Sequence, residues 1–329
     1  MQWRSKRWAI ILGVVGIVAV GTQFFGKTTD AQGTDNPVVG IVQIAQHPSL
    51  DEANRGFVAA LQEAYPGKAI TIMQENAQGE QSNLKAIAQR FVSQNVQLIG
   101  AISTPAAQTM ANETATIPIV GTAVSDYESA KLVKTNAAPG TNVTGTSDRT
   151  PEAEQVQLLQ RLLPTAKRVG IIYNSGEINS ELQAKSFVAA AQAKGLSVTE
   201  ATVSNVNDLS QVAQALSGRV DVIYVPTDNV IASALPTLIN VTNAARILVI
   251  GAAASYVQEG ALAALSVDYY QIGYRAGEMA VKILKGSAQP QTLAIELPAA
   301  QAPLISRSAA STLGIAIDPE LTKTAQLCD

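Results

Sequence analysis

Along most of the chain, short apolar runs rich in β-branched residues alternate with longer stretches whose apolar positions recur every three or four residues. That alternation is the pattern of parallel βαβ units. It predicts strands at 38–44, 69–74, 97–102 and 117–121, with helices at 50–65, 80–94 and 104–114 between them. A second series follows, with strands at 168–173, 197–203, 221–225 and 247–251 and helices at 178–194, 207–217 and 229–244. The runs Ile99-Gly100-Ala101-Ile102 and Val222-Ile223-Tyr224-Val225 are almost wholly apolar, as strands covered by helices on both faces must be.

The two series are copies. Val39-Gly40-Ile41-Val42 returns as Val169-Gly170-Ile171-Ile172, Phe57-Val58-Ala59-Ala60 as Phe187-Val188-Ala189-Ala190, and Pro118-Ile119-Val120-Gly121 as Leu248-Val249-Ile250-Gly251, each at an offset of 130 residues. The fold class expected is α/β, with two doubly wound parallel-sheet lobes. Residues 139–148 are turn-rich and read as a first crossover between lobes, followed by a helix start at 150–154. Residues 262–267 read as a further strand and 269–285 as a helix ended by Gly286. A third connection is expected near 293–298. Several crossings make a multi-crossover hinge rather than a loose linker. The expected domains are therefore a leader over 1–33, a first lobe over 34–147 plus about 268–290, and a second lobe over 148–267 plus part of 291–329.

The leader has its own pattern. Arg4, Lys6 and Arg7 precede an uncharged, mostly apolar run at 8–25, which is the grammar of an export signal. At about 18 residues it is near the lower limit for a spanning helix, with its basic flank on the cytoplasmic side. Cleavage, at a weak small-residue site around Thr29-Asp30-Ala31, and retention as an anchor are both open. The absence of a lipobox cysteine favours the anchor. Either way the body is expected outside the cytoplasm.

Composition narrows the functional classes. With 47% hydrophobic and 15% charged residues, the chain has material for a large core. Without the first 33 residues, 19 bases face 25 acids. That net negative body, lacking a basic stripe, excludes nucleic acid as a natural partner. One cysteine, Cys328, excludes an internal disulfide and a cysteine metal cluster. His47 is the sole histidine and sits beside Pro48; it reads as a turn or capping residue, with no relay of the kind hydrolases use. No Gly-x-Gly-x-x-Gly follows a strand, so no dinucleotide cofactor is expected. Both tryptophans, Trp3 and Trp8, lie in the leader.

Ligands of open parallel sheets bind beyond the carboxyl ends of the strands. Thr104-Pro105-Ala106 opens a helix there, where free amides suit a carboxylate. Thr227, Asp228 and Asn229 hold the equivalent place in the second copy, with Asp228 as the expected ammonium acceptor. Gln43, Asn174 and Ser175 add polar groups at the same edge, and Asp268 approaches from the last crossover. Helix capping is the competing use for Thr104, Asp228 and Asn229.

Gln46-His47-Pro48-Ser49-Leu50-Asp51, Asn76-Ala77-Gln78-Gly79, Ser103-Thr104-Pro105-Ala106-Ala107-Gln108, Val225-Pro226-Thr227-Asp228-Asn229 and Gly260-Ala261-Leu262-Ala263 occur in this order. Together they resemble the ABC-transporter substrate-binding family that includes tryptophan- and tyrosine-binding proteins, over about residues 38–325. The resemblance implies a type I periplasmic-binding-protein fold, an aromatic amino acid as ligand, a permease with its ATPase as partners, no cofactor and no enzymatic activity. It places Thr104, Ala106, Thr227, Asp228 and Asn229 at the ligand cleft, with Asn174, Ser175 and Asp268 beside them. The family's acidic residue after Gly-Ala is absent from Gly251-Ala252-Ala253-Ala254-Ser255, which bears on the ligand. Other readings are a receptor for a branched-chain amino acid, a nucleoside or a sugar, a membrane-tethered enzyme, and a sensory ectodomain, the last disfavoured by the short tail after the second lobe.

Overall fold

The computed structural model describes residues 36–67, 69–299 and 302–329; the run at 8–25, read as signal or anchor, lies outside the described residues. Among the described residues no helix is long and apolar enough to cross a membrane.

The first series of elements runs β1 (Val38–Gln43), α1 (Pro48–Ala64), β2 (Thr71–Asn76), α2 (Gln81–Ser93), β3 (Leu98–Ile102), α3 (Thr104–Glu113), β4 (Ile119–Val124) and β5 (Val143–Ser147). They form a parallel sheet in the order β2-β1-β3-β4-β5. Every residue of β3 and β4 is buried, which is why these segments carry no polar alternation. Pro48 opens α1, where its missing N–H leaves nothing unsatisfied. Leu50, Ala53, Phe57 and Leu61 then bury one stripe of that helix. Each of the larger side chains contributes about 1.5–3 kcal/mol by leaving water.

The second series runs α4 (Glu152–Leu162), β6 (Arg168–Asn174), α5 (Ile178–Ala193), β7 (Ser197–Val203), a short 3-10 turn, α6 (Leu209–Leu216), β8 (Val222–Val225), α7 (Asn229–Ser233), α8 (Leu235–Ala244), β9 (Leu248–Gly251), α9 (Ala254–Gln258) and β10 (Ala263–Ala264). Its strands lie in the order β7-β6-β8-β9-β10, the order of the first sheet repeated strand for strand. The 130-residue offset is thus a duplication of topology as well as of sequence. The chain then returns through α10 (Tyr269–Leu284), which packs on α1 and across β3, β4 and β5 of the first lobe. Glycines permit that close approach: a Cβ on Gly56 would lie 2.1 Å from the carbonyl oxygen of Tyr270. A parallel bridge between Thr146 and Glu296 extends the first lobe once more. The last crossing leads to β11 (Leu304–Ser306), α11 (Arg307–Leu313), α12 (Pro319–Thr322) and β12 (Gln326–Cys328), which finish the second sheet. β11 pairs antiparallel to β10 and β12 parallel to β11.

Four elements differ from expectation. Residues 143–147, read within a crossover, form the fifth strand, because Gly145 at φ 148° lets its backbone approach β4 so closely that a Cβ would lie 2.0 Å from the carbonyl of Gly121. The helix expected over 229–244 breaks at Ala234, since Pro236 enters α8 at its first turn and cannot continue a preceding helix. The strand expected over 262–267 shrinks to two residues and gives way to the second crossover. The short tail, for which no strand was expected, supplies two strands to the second sheet.

Candidate functional site

The carboxyl ends of β1, β3 and β4 face those of β6, β8 and β9 across the interface between the two sheets. In each sheet β1 and β3, or β6 and β8, are the neighbours where the strand order reverses, and loops leaving such a pair diverge to make a crevice. Two strained residues stand on the first lobe's edge. Ser103, at φ 105°, and Ala123, at φ 53°, hold left-handed backbone without being glycine, a conformation that persists only where surrounding structure imposes it.

The lobes meet through side chains. Ser49 Oγ of α1 and Ser255 Oγ of α9 are 2.8 Å apart, Ser125 Oγ after β4 lies 3.1 Å from Thr227 Oγ1 after β8, and His47 Nε2 lies 3.3 Å from Asn229 Oδ1. Gln183 of α5 donates to Ser125 Oγ at 3.0 Å and to Thr227 Oγ1. An inner void of about 20 Å³ lies among these groups, lined also by Asp148, Asp228, Tyr256 and Tyr269. It has room for about one water. Outside it the same strand ends enclose a cavity of about 560 Å³, with Gln46, Gln78 and Pro105 on one wall and Asn174, Glu177 and Asn229 on the other. That volume suits a small organic ligand.

Three buried carboxylates dominate the electrostatics. Asp148 accepts from Ser125 Oγ at 2.8 Å and Tyr269 OH at 3.0 Å. Glu177 accepts from the backbone amides of Asn229 and Val230, from Asn179 Nδ2, and from Asn229 Nδ2. Among the described residues no ion pair includes Asp148, Glu177 or Asp228. Burial raises the pKa of all three, and the nearby Asp228 carboxylate helps push Glu177 up to about 7. Burial acts oppositely on His47, lowering it to about 4. The site therefore holds a neutral imidazole and acidic groups without a counter-cation.

The residues expected from sequence divide into those at the cleft and those away from it. Thr104 is buried at the start of α3, its Oγ1 without a partner, and Ala106 N donates to Ser103 Oγ. Thr227, Asp228 and Asn229 stand together at the opposite lip. Asp228 uses both oxygens within its own lobe, Oδ1 accepting from Ile231 N at 2.9 Å and Oδ2 from Asn174 N at 2.5 Å. Gln43 ties the end of β1 to Asp51 and Asn54 of α1. Two others stand outside. Ser175 is exposed at its loop, and Asp268 is exposed, caps α10 through Gln271 N, and lines hollows beside the hinge. Sequence reasoning missed Ser125, Asp148, Glu177 and Gln183 and read His47 only as a cap. The signal was present in part: His47 and Glu177, and likewise Ser125 and Ser255, are 130 residues apart, and the first two occupy the N-caps of α1 and α5.

Residues 38–328 match the family model described as ABC transporter substrate binding protein. The chain belongs to that family. It is 41% identical over 264 residues to a tyrosine-binding protein of Clostridioides difficile (strain R20291), covering 80% of this chain and 76% of the relative. Among solved structures, an ABC domain in complex with L-Trp from Streptococcus pneumonia matches with a TM-score of 0.87 at 34% identity, covering 89% of this chain and all of the other. The ligand-free, open structure of a substrate binding protein with adhesive properties from Clostridium difficile matches at 37% identity over 89% of this chain and 99% of the other, yet with a TM-score of 0.67. The two α/β lobes are thus those of type I periplasmic binding proteins. Membership makes this substrate-binding protein an extracytoplasmic solute carrier, not an enzyme, and implies an ABC permease as its partner.

Proposed function

We propose that this substrate-binding protein serves an importer and clamps an aromatic amino acid, tryptophan, tyrosine or phenylalanine, between its lobes. The observation that carries the reading is the set of buried acids, Asp148, Glu177 and Asp228, gathered at the cleft without a basic partner among the described residues. Carboxylates desolvated in this way are costly unless a cation joins them, and an α-ammonium supplies one. The carboxylate end of the zwitterion falls to the opposite lobe, where the unpartnered Thr104 Oγ1 at the start of α3 provides a donor. The tyrosine-binding relative and the L-Trp complex support the aromatic class.

Lobe closure is part of the proposal. At nearly equal identity, the chain superposes better on the L-Trp complex than on the ligand-free, open relative, and the Ser49–Ser255 and His47–Asn229 contacts span the lobes. Closure brings acids from both sides of the crevice around the ligand. Delivery at the outer face of the membrane is served by the run at 8–25 acting as an anchor.

Thermal melting of the soluble body against the amino acids, sugars and nucleosides tests the ligand class. A ligand at a hundredfold excess over Kd stabilises the folded state by about 2.7 kcal/mol, so an aromatic amino acid is expected to raise Tm clearly. A response confined to a sugar or nucleoside overturns the ligand class and spares the clamp.

A further inference from the structure

We propose that Val206 is a specificity-determining residue, an apolar contact at the mouth of the cleft against which the aromatic ring of the bound amino acid packs. The inference rests on the aromatic amino acid reading above and deepens it.

Size places the ring. The inner void, at about 20 Å³, has room for about one water, so a ring belongs in the cavity of about 560 Å³ outside it. Asn229 lines both spaces, and Glu177 lines the cavity as well. The acidic end of the cavity therefore adjoins the void. The other end lies along the edge strands β2 and β7, on the side of each sheet away from the crossovers that leave β5 and β10. Gln78 follows β2 there, and Val206 follows β7. β7 is two strand spacings, about 10 Å, from β8, whose loop carries Asn229. A ligand whose ammonium is held beside Glu177 reaches Val206 only through a long side chain.

That end of the cavity offers one exposed apolar side chain. Of the apolar residues lining the cavity, Ile44 and Ala45 are buried, Pro105 and Val230 are half-buried, and Val206 is 44% exposed. A lone exposed valine is ordinary on a convex surface. This one lines a cavity, and its backbone is held there. Ser204 N donates to Asp208 Oδ2 and Asn207 N to Asn205 Oδ1, each at 2.9 Å, which fixes the short 3-10 turn Val206–Asp208 from both sides. The turn also packs against α7.

The first lobe carries the same turn with a different residue in it. Gln78 N donates to Asn76 Oδ1 at 2.8 Å, and the bracketed Ala77 is fully buried. The second copy sets a larger apolar side chain in the equivalent place and exposes it to the cavity. A ring laid over Val206 takes both apolar surfaces out of water. The side chain of alanine or serine is too short to make that contact. Val206 thus favours ligands by reach and apolar area, without reading the polar atom of an indole or a phenol.

Calorimetric titration of the parent, Val206→Ala and Val206→Thr with L-Trp, L-Tyr and L-Phe tests this. Both variants are expected to lose about threefold to tenfold in affinity for the ring ligand the parent binds most tightly, the share of a valine's burial that 44% exposure leaves to be gained. Val206→Thr keeps the branched shape and exchanges a methyl for a hydroxyl, so its loss reports apolar contact rather than shape. Melting temperatures of the unliganded variants close to the parent's, as expected at an exposed position, separate that loss from unfolding. Nuclear magnetic resonance of the parent with isotope-labelled valine methyls gives a second reading. The Val206 signals, assigned by their absence from Val206→Ala, are expected to move upfield when the ring ligand binds, because protons over a ring face are shielded. Parent-like affinity in both variants, or Val206 methyl signals that stay in place on binding, overturns the role of Val206 while the ligand class stands. Binding of none of the three amino acids by the parent overturns the ligand class and this inference with it.

Discussion

His47 and Glu177 titrate in opposite senses, and the stability of the unliganded protein should show it. The folded imidazole sits at about 4 against an ordinary 6.5, because burial removes the water that would solvate its cation. The unfolded chain therefore binds a proton on His47 between pH 6.5 and 4 that the folded chain does not. The stabilisation is complete above pH 6.5 and is lost as pH falls through 4. Glu177 sits at about 7 against 4.5. Here the folded state holds the extra proton, so the stabilisation is complete below pH 4.5 and is lost as pH rises through 7. The His47 shift spans about 2.5 units, and at 1.36 kcal/mol per unit it is worth about 3 kcal/mol. His47 is buried, so solvent screening does not reduce that figure as it would at the surface.

Between pH 4.5 and 6.5 the two effects oppose each other in the parent, and the raised pKa values of Asp148 and Asp228 act in the same sense as Glu177. Removing one partner exposes the other. Urea unfolding of the parent and His47→Gln at a series of pH values is expected to show the gap between them moving in the variant's favour by about 3 kcal/mol from pH 7 to pH 4. Glu177→Gln should move oppositely, gaining on the parent as pH rises from 4.5 to 8. A gap for His47→Gln that stays constant to within about 1 kcal/mol would refute the claim that His47 is neutral and buried in the folded protein.

Two further outcomes follow. Asp228→Asn replaces one carboxylate oxygen with an amide that must face either Asn174 N or Ile231 N; stability should fall by about 1.5–3 kcal/mol, and amino acid affinity by a further 2–5 kcal/mol, or roughly thirtyfold or more, whereas lower stability with unchanged affinity by calorimetry makes Asp228 a cap alone. Fractionation of cells expressing the full chain should recover the body with the membrane if the run at 8–25 anchors it; recovery in the medium shows cleavage, and recovery in the cytosol refutes export.

Most of the sheet framework was legible because burial on both faces writes itself into sequence as unbroken apolar runs, as in β3 and β8. Elements whose burial is supplied from far away were not. β5 lies in a stretch full of turn residues, and only its pairing with β4 makes it a strand. β11 and β12 are three residues each and depend on β10 for a place in the sheet. At the site, Thr227, Asp228 and Asn229 could be read because they follow a strand directly. Asp148 and Ser125 could not, since what marks them is a partner more than twenty residues away in the same lobe or on the other one. Asp268 and Asp228 were both read at helix starts, and both cap those helices, Asp268 at an exposed position and Asp228 buried at the cleft.

The duplication explains why the cleft can be chemically lopsided while its framework is symmetric. His47 and Glu177 hold matching N-cap positions in the two copies, and neither side chain caps its own helix. Both instead engage Asn229, His47 through Oδ1 and Glu177 through Nδ2. Two glutamates in these places would set a further buried charge beside Asp228 and face the amide oxygen with a like partner. Two histidines would leave Asn229 Nδ2 without its carboxylate and the amide free to flip. One of each fixes the amide, and through it the imidazole tautomer. The repeat thus supplies two equivalent places, and unlike residues at those places hold one shared amide between the lobes.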